Sequence, residues 1–222
     1  MNVSVTKRSQ TESDEVMRYK MNEIRISEKI SYIECSEDPL SADIGIIRDN
    51  GITWLYDVGN GEKNLPGLTG RCNIVLSHFH QDHTGNLDRI PCGELFVSRE
   101  TFRHTHRGTI VSENVSHGGL TIFPLPSSHA KGCLGLEVDH TYAFVGDALY
   151  CKVADGCRIY NTQLLHDEIA VLKSLQVPFL LSSHLKGLIR KTDDVIRELE
   201  AIYSQRTRND PEIRLPFSDN EQ

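Results

Sequence analysis

The chain has 222 residues, a formal net charge of -7, 38% hydrophobic and 25% charged residues. That length gives one domain with room for a sizeable core, and the composition is that of an ordinary soluble protein rather than a disordered one. No apolar run reaches the ~18 residues of a membrane span, and no basic run beyond Lys186, Arg190 and Lys191 offers a nucleic-acid stripe.

Residues 1–22 are polar, with few apolar side chains, and read as an N-terminal extension with at most a short helix over Glu12 to Met21. They lack the apolar stretch of a secretory signal, so the expected location is cytoplasmic. The six cysteines are scattered, without a C-x-x-C pair, and are expected to be reduced. A main domain is expected over 23–205, followed by a polar, frayed tail over 206–222.

From Glu23 the chain reads as strands, the first over Ile30 to Cys35. Asp43 to Arg48 and Ile52 to Asp57 are apolar runs split by Asp49, Asn50 and Gly51, a hairpin signal because Asn and Gly both tolerate positive φ. Another strand is expected over Asn73 to Ser77 and a short helix over Thr84 to Ile90. Strands follow over Glu94 to Val97, Leu120 to Leu125, Leu134 to Val138 and Tyr142 to Val145. Leu165, Ile169, Leu172 and Leu175 recur at spacings of three and four and predict a helix over Thr162 to Leu175. A buried strand over Phe179 to Ser182 precedes a last helix, capped by Thr192, with Asp193 and Asp194 in its first turn. Strands punctuated by helices in both halves suggest two sheets with helices outside.

The segment Ser77-His78-Phe79-His80-Gln81-Asp82-His83 concentrates the chemistry. In extended chain His78 and His80 share a face, whereas a turn into helix presents Asp82 and His83 from another direction. Such a segment can serve two adjacent metals, and imidazole with carboxylate suits zinc, manganese or iron. Four residues cannot fill two coordination spheres. His129, Asp147 and His184 each stand just after an apolar strand, where a scaffold can aim a ligand rigidly. His104, His106, His117, His140 and His166 read as structural or surface residues, although His104 could lie near a substrate.

The order H-x-H-x-D-H, then single His, Asp and His residues, resembles the metallo-β-lactamase superfamily, and Leu55-Tyr56-Asp57-Val58-Gly59 resembles its first motif. The motifs span residues 55 to 184. The resemblance implies an α+β or α/β protein, a four-layer αββα sandwich with metals at one edge. It places His78, His80 and His129 on one ion, Asp82, His83 and His184 on another, Asp147 between them, and Asp57 behind the ligands. The chain departs from the family at Leu185, where Gly is frequent, and at Asn86, the second residue of a usual Gly-Gly; both touch loops and substrate assignment rather than ligands.

The implied enzyme is a hydrolase with two divalent ions, zinc first and manganese or iron as alternatives, that uses a metal-bridging hydroxide. Asp82 would also orient the nucleophile, and Tyr150, three residues past Asp147, is a candidate donor to the developing oxyanion. Lys131 and Lys186 could attract an anion but read first as solvated lysines. A small thioester, ester, lactone or amide is the expected substrate. A phosphodiesterase or nuclease of the same superfamily and a mono-iron enzyme resembling the sulfur dioxygenases are the alternatives. No membrane or nucleic-acid partner is expected, and nothing in the sequence sets an oligomeric state.

Overall fold

The computed structural model describes residues 23–68 and 70–217. The extension expected over 1–22, with its short helix, lies outside the described residues. Two twisted sheets lie face to face. The first has seven strands: β1 (Glu23–Arg25), β2 (Ile30–Ile33), β5 (Ile44–Asp49), β6 (Ile52–Tyr56), β7 (Cys72–Val75), β8 (Cys92–Val97) and β9 (Thr109–Ile110), side by side in that order. β3 (Ser36–Glu37) and β4 (Leu40–Ser41) form a small separate hairpin. Strands β1, β2, β5 and β6 are antiparallel, and β6 through β9 run parallel. Asn50 and Gly51 turn the β5–β6 hairpin with φ of 49° and 77°, as their side chains allow.

The second sheet has six strands in the order β10 (Val115–His117), β11 (Leu120–Leu125), β12 (Cys133–Val138), β13 (Tyr142–Gly146), β16 (Phe179–Ser182) and β17 (Ile189–Lys191). Only its β13–β16 pair is parallel. Strands buried on both faces read as continuous apolar runs, and here the period of two sorts them into separate layers. Trp54, Tyr56, Val75 and Phe96 meet Ile122, Leu134, Leu136 and Phe144 between the sheets. Leu55, Ile74, Leu76, Leu95 and Val97 face outward beneath Phe102 of helix α2 (Arg99–Thr105). On the other flank Phe123, Leu125, Ala143 and Val145 pack against Leu165, Ile169 and Leu172 of α3 (Thr162–Leu175) and Val195 and Leu199 of α4 (Thr192–Tyr203). The result is the expected order of helix, sheet, sheet, helix.

Four local expectations change. The helix expected over Thr84 to Ile90 is instead a single turn, α1 (Gln81–Thr84), followed by a 3₁₀ turn at Leu87–Arg89. Extended His80 starts the helix at Gln81, three residues early, so that Asp82 and His83 lie within it. The last helix is flanked by Lys191, and Thr192 is its first residue rather than its cap. The stretch 99–105, where the sequence predicts no element, is helix α2, capped by Ser98 accepting from Thr101 N. The tail expected to fray contains β18 (Glu212–Pro216), which pairs with β15 (Cys157–Asn161) and, through it, β14 (Lys152–Ala154). Its period-two signal is short: Ile213 is buried in the helical-flank core and Leu215 packs against it. Among the described residues no helix is long and apolar enough to cross a membrane.

Candidate metal centre

All seven proposed ligands converge at one edge of the sandwich, where strands end. Each reaches that edge by a local device. β7 ends at Val75, and the extended chain beyond it carries His78 and His80 until α1 turns Asp82 and His83 inward. His129 follows β11 on a loop whose Ser127 hydroxyl accepts from His129 N at 3.0 Å and donates to Ala148 O at 2.8 Å. That hydroxyl ties the His129 loop to the residue after Asp147. Asp147 follows Gly146, which has φ +56°. A Cβ on Gly146 would lie 2.8 Å from Ser77 Cβ, so only glycine lets this strand end approach the histidine segment. His184 follows β16 and takes φ +58°, a left-handed conformation that costs a non-glycine residue about 1–2 kcal/mol.

The ligand atoms form two groups, within each of which all atoms lie within 4.8 Å of one another. His78, His80 and His129 make the first. Its atoms are His78 Nε2, 2.9 Å from His80 Nδ1, and His129 Nε2, 3.1 Å from the same Nδ1. Asp82, His83, Asp147 and His184 make the second. Asp147 Oδ2 lies 3.3 Å from His83 Nε2, 3.8 Å from His184 Nε2 and 3.5 Å from His129 Nε2. One carboxylate oxygen therefore faces both groups.

Behind these atoms the fold supplies orientation. Asp57, fully buried with φ +62°, accepts from Ser77 N through Oδ1 and from His83 Nδ1 through Oδ2, both at 2.7 Å. The bond to Nδ1 leaves Nε2 of His83 as the atom that faces the cluster. Ser77 Oγ lies 3.0 Å from His78 Nδ1, which likewise turns His78 Nε2 inward. Burial, reinforced by the surrounding imidazoles, pushes His78 far below the ordinary histidine range, so its ring is a neutral lone-pair donor. Burial opposes charge on His83 too, but Asp57 and Asp147 outweigh it and raise that imidazole to about 10 in the metal-free protein.

Does this set fit metal ions? His83 Nε2 and Asp147 Oδ1 are buried and make no hydrogen bond, although carboxylate oxygens stand 3.3 and 3.5 Å from the histidine nitrogen. Buried polar atoms are almost always paired. Two such atoms among converging imidazoles and carboxylates fit a metal-binding set, and the N/O donors suit zinc, manganese or iron.

Other expected residues fall differently. Tyr150 reaches this edge, with its ring 6.3 Å from that of His129, but its hydroxyl donates to Ser183 O at 2.7 Å. Its one proton is already directed at the loop of His184. His104 stacks on Phe79 at 4.3 Å and 5°, bringing α2 against the histidine segment. His117 packs with Trp54 and Phe96, whereas His140 and His166 pair with Glu137 and Asp167 at the surface. His106 ends α2 in a left-handed conformation. Lys131 and Lys186 are exposed. Sequence reasoning missed Asp43, whose carboxylate accepts from His184 N at 2.9 Å. The available signal was an acidic residue opening an otherwise apolar strand.

No family model and no curated protein matches this sequence. Solved structures do. An archaeal metallo-β-lactamase superfamily protein from Sulfolobus tokodaii superposes with a TM-score of 0.59 at 15% identity, over 82% of this chain and 88% of its own. A metallo-β-lactamase from Hirschia baltica gives 0.58 at 14% identity, over 82% and 96%. A chemotaxis sensor described with a peroxy diiron species gives 0.58 at 14%, over 80% and 93%. Identities this low speak for the backbone, and it is by its backbone that the chain is established as a protein of the metallo-β-lactamase fold.

Proposed function

We propose that this chain is a metal-dependent hydrolase with two divalent ions, zinc first and manganese or iron as alternatives, acting on a small thioester, ester, lactone or amide. The observation that carries the reading is Asp147, whose Oδ2 stands 3.5 Å from His129 of one ligand group and 3.3 Å from His83 of the other. His78, His80 and His129 would hold one ion, Asp82, His83 and His184 the second, with Asp147 between. When bound, two such ions supply Lewis acidity and bring the pKa of water at the site towards neutrality.

The protein's own residues divide the remaining work. His78 and His83 are fully buried and form the floor, while Asp82, His129 and His184 keep partial exposure and line the side a substrate can reach. Asp82 Oδ2 lies 3.0 Å from His184 Nε2, at that open side, where it can orient an attacking water. Asp57 fixes the ring of His83 and thereby the direction of its lone pair. The net charge of -7 fits a small-molecule substrate better than a nucleic-acid polymer. Free cysteines at all six positions fit a reducing, cytoplasmic setting.

A second reading is oxygen chemistry at iron, supported by the diiron species named for one structural neighbour. Elemental analysis of the purified chain, with a panel of thioesters, esters, lactones, amides and a phosphodiester, separates the two. About two zinc or manganese ions and hydrolysis lost in Asp147→Ala support the first. Iron with oxygen uptake on thiols supports the second. A chain that takes up no metal after reloading overturns both.

A further inference from the structure

We propose that Asp43 is a positioning residue for the second ligand group, acting through the backbone of His184; the inference rests on the two-ion reading above. Asp43 sits between β4 and β5 and is buried. Its Oδ2 accepts from His184 N at 2.9 Å and its Oδ1 from Cys35 N at 3.1 Å. Both lengths are ordinary for N–H···O bonds, and two donors from separate segments leave the carboxylate no freedom to rotate.

His184 needs such a hold. Its left-handed backbone is unfavourable for a side chain with a Cβ, and the conformation persists only where neighbours over-determine it. The bonds that hold this loop include Ser183 N to Gly146 O at 3.0 Å, the Tyr150 hydroxyl to Ser183 O, and His184 N to Asp43. Of these, the last grips the backbone of the ligand residue itself, whereas the imidazole meets Asp82 Oδ2 through Nε2. The adjacent Ala42 N donates to Asp82 O at 2.9 Å. Residues 42 and 43 therefore strap together the backbones of Asp82 and His184, two of the four members of the second group. They make no hydrogen bond to His78, His80 or His129. The strap joins positions 141 residues apart, and its effect on metal binding is confined to one of the two ions.

The test is zinc titration of the metal-free full chain against a chromogenic chelator, for wild type, Asp43→Ala, Asp43→Asn, His184→Ala and the Asp43→Ala/His184→Ala pair. Asp43→Ala is expected to weaken one zinc by about 10–100-fold and leave the other within about twofold. Asp43→Asn keeps an uncharged acceptor and is expected to weaken that same zinc by less, about 3–10-fold. This variant decides the matter if Asp43→Ala does not fold. In the His184→Ala background, Asp43→Ala should change the remaining affinity by less than about twofold, because the group it acts through is gone. A residue that only stabilises the fold would weaken both ions and act in both backgrounds. Equal weakening of both ions, an undiminished effect in the His184→Ala background, or unchanged affinities overturn the inference while two-ion binding by wild type stands. Wild type that binds fewer than two zinc ions overturns the two-ion reading and the inference with it.

Discussion

Asp57 and Glu168 are the two most deeply buried carboxylates among the described residues, at 0% and 1% exposure, and the fold treats them in opposite ways. Asp57 lies at the ligand edge, where Ser77 N and His83 Nδ1 each donate to one of its oxygens. Glu168 lies on α3 among Leu165, Ile169 and Leu172, its Oε1 has no partner, and burial pushes its carboxyl well above the ordinary range. One acid is matched with donors; for the other, burial without a donor to that oxygen favours the protonated form. Burial of a polar group therefore does not mark a site by itself. Donors that belong to the segment carrying the candidate ligands do.

The sharpest way to break this contrast is Asp57→Ala. It strands a buried backbone N–H and a buried imidazole N–H at once. Removing one partner of such a buried pair costs about 3–5 kcal/mol, and losing the partner behind a metal-ligating histidine weakens metal binding about 10–100-fold. Chemical denaturation of the metal-free chain and zinc titration measure both effects. A loss under about 1 kcal/mol, with zinc binding intact, would show that the two hydrogen bonds are incidental.

Glu168→Gln tests the other half, with a smaller effect and the opposite sign. A raised folded pKa means that the native state holds its proton where the unfolded chain has lost it. The native chain then binds more protons than the unfolded one, so stability falls as pH rises above the ordinary value of 4.5 and goes on falling up to the raised folded pKa. Glutamine does not titrate. The variant should match wild type near pH 4 and gain about 1–3 kcal/mol on it at pH 8, the cost of a buried group without its partner. Urea denaturation of the metal-free protein at the two pH values reads this directly, and zinc affinity should not move. An equal difference at both pH values would mean that Glu168 does not ionise on unfolding and would remove it from the comparison.

What the sequence made legible follows the same division. The helix over Thr162–Leu175 was readable to the residue because its apolar spacing is local. So was the histidine segment, where three imidazoles and a carboxylate fall within six positions. Asp43 and His184 were not readable as a pair, because a hydrogen bond across 141 residues leaves no periodic trace. The strand at Glu212–Pro216 was hidden for a related reason: it pairs with Cys157–Asn161, the central strand of a small three-stranded sheet, through two short segments with few buried side chains. The start of α1 was misplaced because the constraint that ends the extended chain at His80 is tertiary. The main chain around the helix is tied to neighbouring loops through Ala42 N to Asp82 O and Val58 N to His83 O.

Tyr150 supplies the smallest effect, and it asks to which side of the contrast a half-exposed group belongs. Its place three residues past Asp147 made its hydroxyl a candidate oxyanion donor, yet the proton points at Ser183 O, 2.7 Å away. In that geometry Tyr150 resembles Asp57 in kind: a polar group that secures a ligand-bearing loop. It differs in degree, because water can replace the bond at a ring 37% exposed. Tyr150→Phe should therefore cost about 0.5–1.5 kcal/mol of stability, as one ordinary hydrogen bond does. On whichever substrate the panel identifies, kcat should fall less than tenfold, because the loop keeps its bonds from Ser183 N to Gly146 O and from His184 N to Asp43. A donor to the transition-state oxyanion would be worth about 10²–10³ in kcat. A loss of that size, with stability unchanged, would mean that the hydroxyl turns from Ser183 to the substrate during the reaction, and would move Tyr150 from loop support to chemistry.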